Sequence, residues 1–137
     1  MHRPRCISAW RRYCMMITTA TYAAILLWAT HAPNIKPPSV GRDLVPVDKF
    51  WHFVAYALLA LLVVLTNASL GRRRMPVLMV GAVLFVLAGF DEVTQPFTQR
   101  DAEWADWYAD VAGIACGICF AAVVFPVATR RKAELTR

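Results

Sequence analysis

Charge is scarce in this chain. Only 18% of its 137 residues are Asp, Glu, Lys or Arg, where a soluble domain carries about a quarter. With an apolar fraction of 58%, that scarcity argues against an ordinary water-soluble domain and for a membrane protein. Low-complexity linkers are missing too, so residues 1–137 read as a single domain. No zinc-binding signature is present, and no serine is placed as an evident nucleophile. The most familiar metallohydrolase and serine-hydrolase patterns are therefore not available to it.

What is there is four long apolar runs, near 13–30, 50–70, 75–95 and 107–129. Crossing a bilayer takes roughly 17–25 residues of helix, and each run meets that test. The expected fold is all-α, a compact bundle of four transmembrane helices. The first run follows a basic segment and precedes Thr30-His31-Ala32-Pro33, so a signal peptide is the alternative reading of it. Its length favours an uncleaved first helix.

The charges then sort by side. Arg3, Arg5, Arg11, Arg12, Arg72, Arg73, Arg74, Arg130, Arg131, Lys132 and Arg137 fall in the two terminal segments and the inner turn, with Glu134 the sole acid among them. The other two loops hold four bases and eight acids. The positive-inside rule places both termini in the cytoplasm and those two loops outside. The formal charge of +6 thus reports topology. The bases are scattered over three short pieces with no binding module around them, which argues against a nucleic-acid partner. Membrane lipids are the expected surroundings. None of the four cysteines falls in an outer loop, so no external disulfide framework is expected. Cys116 and Cys119 match CxxC spacing but lie inside an apolar helix, where packing explains them.

Three polar clusters converge on the outer face. Helix two opens with Asp48, Lys49, His52 and Tyr56, of which Asp48, His52 and Tyr56 share one face at a spacing of four. The third run ends in Asp91, Glu92 and Gln95, and Pro96 ends or bends it. Arg100 lies in the crossing that follows. The fourth run begins at Asp106 and Asp110, and Gly113 and Gly117 continue that face as a GxxxG packing pattern. Ionisable groups at membrane depth face protein or a wet cavity and are functional candidates by default. Asp101 and Glu103 read as residues that keep the crossing wet. Trp28, Trp51, Trp104, Trp107 and Tyr108 form an interfacial belt, with Trp104 and Trp107 best placed to stack on a sugar or an amphiphile.

These blocks, running over residues 48–117, resemble the VanZ-like family of small bacterial membrane proteins. The matching positions are Asp48, Lys49, His52, Phe53 and Tyr56; then Asp91, Glu92, Gln95, Phe97 and Arg100; then Asp106, Asp110, Gly113 and Gly117. Asp110 stands where the family commonly has asparagine, and Thr98-Gln99 stands where a proline and a glycine are usual. The resemblance implies a role in the bacterial cell envelope, at the inner membrane. The family takes its name from a protein linked to glycopeptide resistance, but it supplies no activity common to all members.

The expected ligand-binding set is Asp48, Lys49, His52, Tyr56, Asp91, Glu92, Gln95, Arg100, Asp106 and Asp110, forming a pocket for a cell-envelope amphiphile or a lipid-linked wall intermediate. Arg100, Lys49 and His52 would contact an anionic group. The alternatives are a membrane-embedded hydrolase or transferase, with His52, Glu92 and Asp106 as catalytic candidates, and a small oligomeric transporter. Several acids in one cluster repel unless paired, protonated or bound to a cation. Glu92, Asp106 and Asp110 are therefore the expected ligands of a divalent cation.

Overall fold

The computed structural model describes residues 5–32, 47–71, 75–98 and 102–134. They form four helices, α1 (Arg5–His31), α2 (Val47–Ser69), α3 (Val77–Thr94) and α4 (Trp104–Glu134), with a 3₁₀ turn at Gln95–Thr98. Each helix contains a segment long and apolar enough to cross a membrane: Ala9–His31, Val47–Ser69, Val77–Thr98 and Trp104–Val124. The architecture is an all-α bundle of a multi-pass membrane protein.

The exterior explains the composition. Leu78 is 83% exposed and Phe90 63%, an arrangement that water would penalise and lipid tails satisfy. The interior is small: Tyr56, Leu59, Ala60, Val80, Leu84, Ala88 and Ile114 form one buried cluster, with Tyr22, Leu26, Val63 and Ile118 packed against it. On α3 the buried residues Val80, Leu84, Ala88 and Asp91 recur at helical spacing. Cys116 and Cys119 are free and lie on the outward side of α4.

The tightest seam joins α2 to α4. With no hydrophobic force to press helices together in lipid, close approach depends on small residues. Gly113 meets the backbone of Phe53, and Gly117 meets that of Ala57; a Cβ at either position would overlap the facing carbonyl oxygen. The two helices run parallel, so residue numbers rise together along the seam and the starts of both helices share one end of the bundle.

At the opposite end α2 finishes beside the start of α3. Gly71 takes φ 63°, a left-handed conformation that other residues adopt at a cost. Asn67 makes this contact by donating from Nδ2 to the Met75 carbonyl (2.9 Å) and accepting from the Met75 N–H at Oδ1 (2.8 Å). Pro76 is the residue before α3, with its carbonyl accepting from the Met79 and Val80 N–H groups. Helix one is tied to α2 by Thr19 to Thr66 at 2.7 Å and by the Tyr22 hydroxyl donating to the Ala55 carbonyl at 3.0 Å.

Candidate functional site

The end of the bundle that carries the starts of α2 and α4 and the end of α3 holds nearly all the buried polar side chains described. His52, Asp91, Glu92, Gln95, Asp106 and Asp110 are each at most 7% exposed. They divide into two centres.

The first centre is built on Asp91. Its Oδ1 accepts from the Thr30 hydroxyl at 2.8 Å and lies 3.3 Å from His31 Nδ1. Its Oδ2 accepts from the Tyr56 hydroxyl at 2.9 Å. The other ring nitrogen of His31, Nε2, meets Thr94 Oγ1 at 2.8 Å. Three helices, α1, α2 and α3, are thus stapled through one carboxylate, and both of its oxygens are occupied. Thr30, His31 and Thr94 had no place among the sequence candidates. At the end of a first helix, a threonine and a histidine look like ordinary interfacial residues, and only the tertiary contact reveals their partner.

The second centre is built along the α2–α4 seam. Asp110 Oδ1 lies 3.0 Å from His52 Nδ1. Because a carboxylate only accepts, that bond places a proton on Nδ1, and in the neutral imidazole Nε2 then carries the lone pair. Nε2 faces Asp106 Oδ2 at 4.0 Å, too far for a hydrogen bond. The other oxygen of Asp106, Oδ1, accepts from Lys49 Nζ at 2.9 Å, and Lys49 also donates to Glu103 Oε2 at 2.7 Å. Asp48, in the first turn of α2, completes the group: one ligand atom each from Asp48, His52 and Asp106 lies within 4.8 Å of the others.

Several atoms here are left over. Asp110 Oδ2, Glu92 Oε2 and Gln95 Nε2 are buried with no hydrogen-bond partner. Glu92 Oε1 accepts from the backbone N–H of Glu103. Buried polar groups are normally paired, and each orphan carries a desolvation cost. None of them is on Asp91, while Asp110 is the partner of His52, and this separates the two centres chemically.

The sequence candidates distribute accordingly. Asp48, His52 and Asp106 form the trio that a single cation can reach. The expected cation set was Glu92, Asp106 and Asp110; of these Asp110 stands behind His52, on its far nitrogen, and Glu92 is bound to the α4 entry. Tyr56 and Asp91 are committed to each other in the first centre. Lys49, expected to meet an anionic ligand, is engaged by Asp106 and Glu103. Glu103, expected only to keep the surface wet, pairs with Lys49 and lends its N–H to Glu92. Arg100 and Asp101 lie outside the described residues.

A small closure would bring the trio around one cation. Two ligand atoms about 2.0–2.2 Å from a tetrahedral zinc ion lie about 3.4 Å apart, so the gap of 4.0 Å between His52 and Asp106 would narrow by about 0.6 Å around such an ion. A histidine that ligates through one nitrogen usually donates its other N–H to a carboxylate, the place Asp110 occupies. Three carboxylates, Asp48, Asp106 and Asp110, surround His52 against the ammonium of Lys49, a balance that a divalent cation would neutralise. The arrangement is a membrane helix bundle with a buried His/Asp cluster capable in principle of holding a divalent cation. No family model, curated protein or solved structure matches this chain.

Proposed function

We propose that this chain is a membrane-embedded hydrolase or transferase that acts on the polar head of an envelope amphiphile, using the His/carboxylate cluster at the outer end of its bundle. The observation that carries this reading is the convergence of Asp48, His52 and Asp106 ligand atoms within 4.8 Å. Asp48, His52 Nε2 and Asp106 Oδ2 would hold one divalent cation, and Asp110 would orient the imidazole. A cation in such a site supplies an activated water and polarises an oxygen of the scissile group. Lys49 donates to the other oxygen of Asp106. The charge pattern of the sequence favours the extracytoplasmic face for this end, with both termini in the cytoplasm, and the VanZ-like resemblance implies the inner membrane of a bacterium.

The second reading is a non-catalytic pocket of the VanZ-like type for a lipid-linked wall intermediate. It is favoured by the convergence of all three sequence blocks on one end of the bundle, with Gly113 and Gly117 fixing the seam between the first and third.

Cation binding separates the two. Zinc or manganese titrated into the purified full chain in micelles should bind once per chain. His52→Ala and Asp106→Asn should abolish binding, and Asp110→Asn should weaken it about 10–100-fold, as loss of a supporting carboxylate does. Breakdown of a lipid extract by the wild type should then stop on chelation. A chain that takes up no cation, or takes it up equally in all three variants, refutes the enzyme reading.

A further inference from the structure

Beside the cation trio lies a second feature that the proposed chemistry does not use. A cavity of about 80 Å³ is lined by Glu92, Val93, Ala102 and Trp104. Glu92 is the charged member of that lining, yet it is only 3% exposed. A carboxylate accepts about four hydrogen bonds. Glu92 accepts one, from the Glu103 N–H, and its Oε2 has no partner at all. The nearby ammonium does not serve it, because Lys49 is taken by Glu103 and Asp106. Among the described residues, no base pairs with this carboxylate.

Trp104 shares this lining. It is 70% exposed, and its ring stands edge-on to Trp107 at 6.1 Å, which in turn meets Tyr108 at 5.1 Å. A carboxylate with no base partner among the described residues, sharing a small space with an exposed indole, is suited to a cation: the acid supplies charge and acceptors, and the indole supplies cation–π attraction. The volume admits a group of a few heavy atoms. The acids exclude a phosphate from the same space by repulsion. Glu92 lies near the end of one membrane-crossing segment and Trp104 begins another, the level at which lipid headgroups sit.

The geometry points to a subsite between Glu92 and Trp104 for the primary ammonium of a lipid headgroup, of the ethanolamine type. The ammonium donates to Glu92 and packs on Trp104, while the lipid phosphate stays outside the acidic pocket and the acyl chains remain in the bilayer. Binding of the headgroup stands on this cavity alone; only its service as the handle of a substrate rests on the hydrolase or transferase reading.

The test uses the full chain in phosphatidylglycerol nanodiscs, titrated with dihexanoyl phosphatidylethanolamine and followed by tryptophan fluorescence and calorimetry. Dihexanoyl phosphatidylglycerol, the N-acetylated ethanolamine lipid and free ethanolamine are the comparison ligands. The ethanolamine lipid should bind about tenfold tighter than the two lipids that lack the ammonium, the factor that one charge-assisted contact provides, and tighter than free ethanolamine, which has the ammonium but no acyl chains to bury. Glu92→Gln and Trp104→Ala should each remove most of that preference, and Trp104 is exposed enough for its variant to fold. His52→Ala should leave the preference intact while losing cation binding, so failure of the subsite and failure of the enzyme reading give different results. Equal affinity for the N-acetylated lipid, or a preference that survives in both the Glu92 and Trp104 variants, overturns the subsite. Free ethanolamine binding as tightly as the lipid overturns the lipid as its source.

Discussion

Asp91 and Asp110 are both buried aspartates at the same end of one bundle, and their partners on α2 are one turn apart. Asp91 takes Tyr56, and Asp110 takes His52. Asp91 spends both oxygens on protein: Thr30 and His31 on one side, Tyr56 on the other. Asp110 spends one, and its Oδ2 is left without a partner. The same residue type is therefore a staple in one place and an unfinished site in the other. In a low-dielectric interior a fully satisfied polar network rigidifies the fold, whereas an unsatisfied one costs stability unless something else completes it. The difference teaches where to look for function: the incomplete centre is the one that a ligand would complete.

Removing each carboxylate is the most direct way to break this comparison. Asp91→Ala leaves the Tyr56 hydroxyl without its acceptor in the interior and removes one of the ties between α1 and α3. It should cost about 3–5 kcal/mol of unfolding free energy. Asp110→Asn keeps an acceptor for His52 and replaces an oxygen that had no partner, so its cost should stay within about 1 kcal/mol in the absence of cation. Reversible unfolding in mixed micelles measures both. Equal losses would mean that the two aspartates are structural in the same sense.

The sequence made the site's location legible and its internal division illegible. Length and apolar content give the four spans, and counting spans brings Asp48 and His52 to the same end as Glu92 and Asp106. The separation of Asp91 from Glu92 is another matter. Adjacent residues on a helix point about 100° apart, so Asp91 turns to α1 and α2 while Glu92 turns to the start of α4. Without the packing order of the helices, neither direction has a meaning, and the two acids read as one cluster. The same gap hides Thr30 and His31, which become partners only when α1 is placed against α3. It also hides the backbone N–H of Glu103, since a main-chain donor leaves no trace in residue identity. The glycines were more informative. Their phase on α4, shared with Asp106 and Asp110, already indicates which face carries the seam.

That seam offers the second test, because the incomplete centre depends on it and the Asp91 centre much less. Gly117→Ala places a Cβ against the Ala57 carbonyl and forces α2 and α4 apart. Overpacking of this kind costs about 1–3 kcal/mol. Lys49–Asp106 and His52–Asp110 both bridge the seam, so cation binding should fall as well, although Gly117 is about two turns below Asp110 along α4. The Tyr56–Asp91 contact joins α2 to α3 and should persist. Measured stability and cation affinity should therefore drop together in this variant, while Asp91→Ala lowers stability in far greater proportion. A Gly117→Ala chain with unchanged cation affinity would show that the site does not need the seam held closed.

The smallest effect sharpens the comparison furthest. Lys49 is the ammonium that partly completes the second centre, and its side chain is 25% exposed, against 56% for Glu103 and 4% for Asp106. The pair with Glu103 is open to solvent and contributes little, whereas the buried Asp106 loses a charge-assisted bond, so Lys49→Met should lower stability by about 1 kcal/mol at low salt and by less at high salt. Its effect on the cation should have the opposite sign. Without Lys49, Asp106 loses a competing positive charge and gains a free Oδ1, and an incoming divalent ion meets less repulsion. Affinity for zinc or manganese should rise severalfold while the empty protein becomes slightly less stable, a reversal that calorimetric titration beside unfolding curves will detect. If affinity falls together with stability, Lys49 serves to hold Asp106 in position for the ion, and its ammonium belongs to the finished site instead of standing in for the missing ligand.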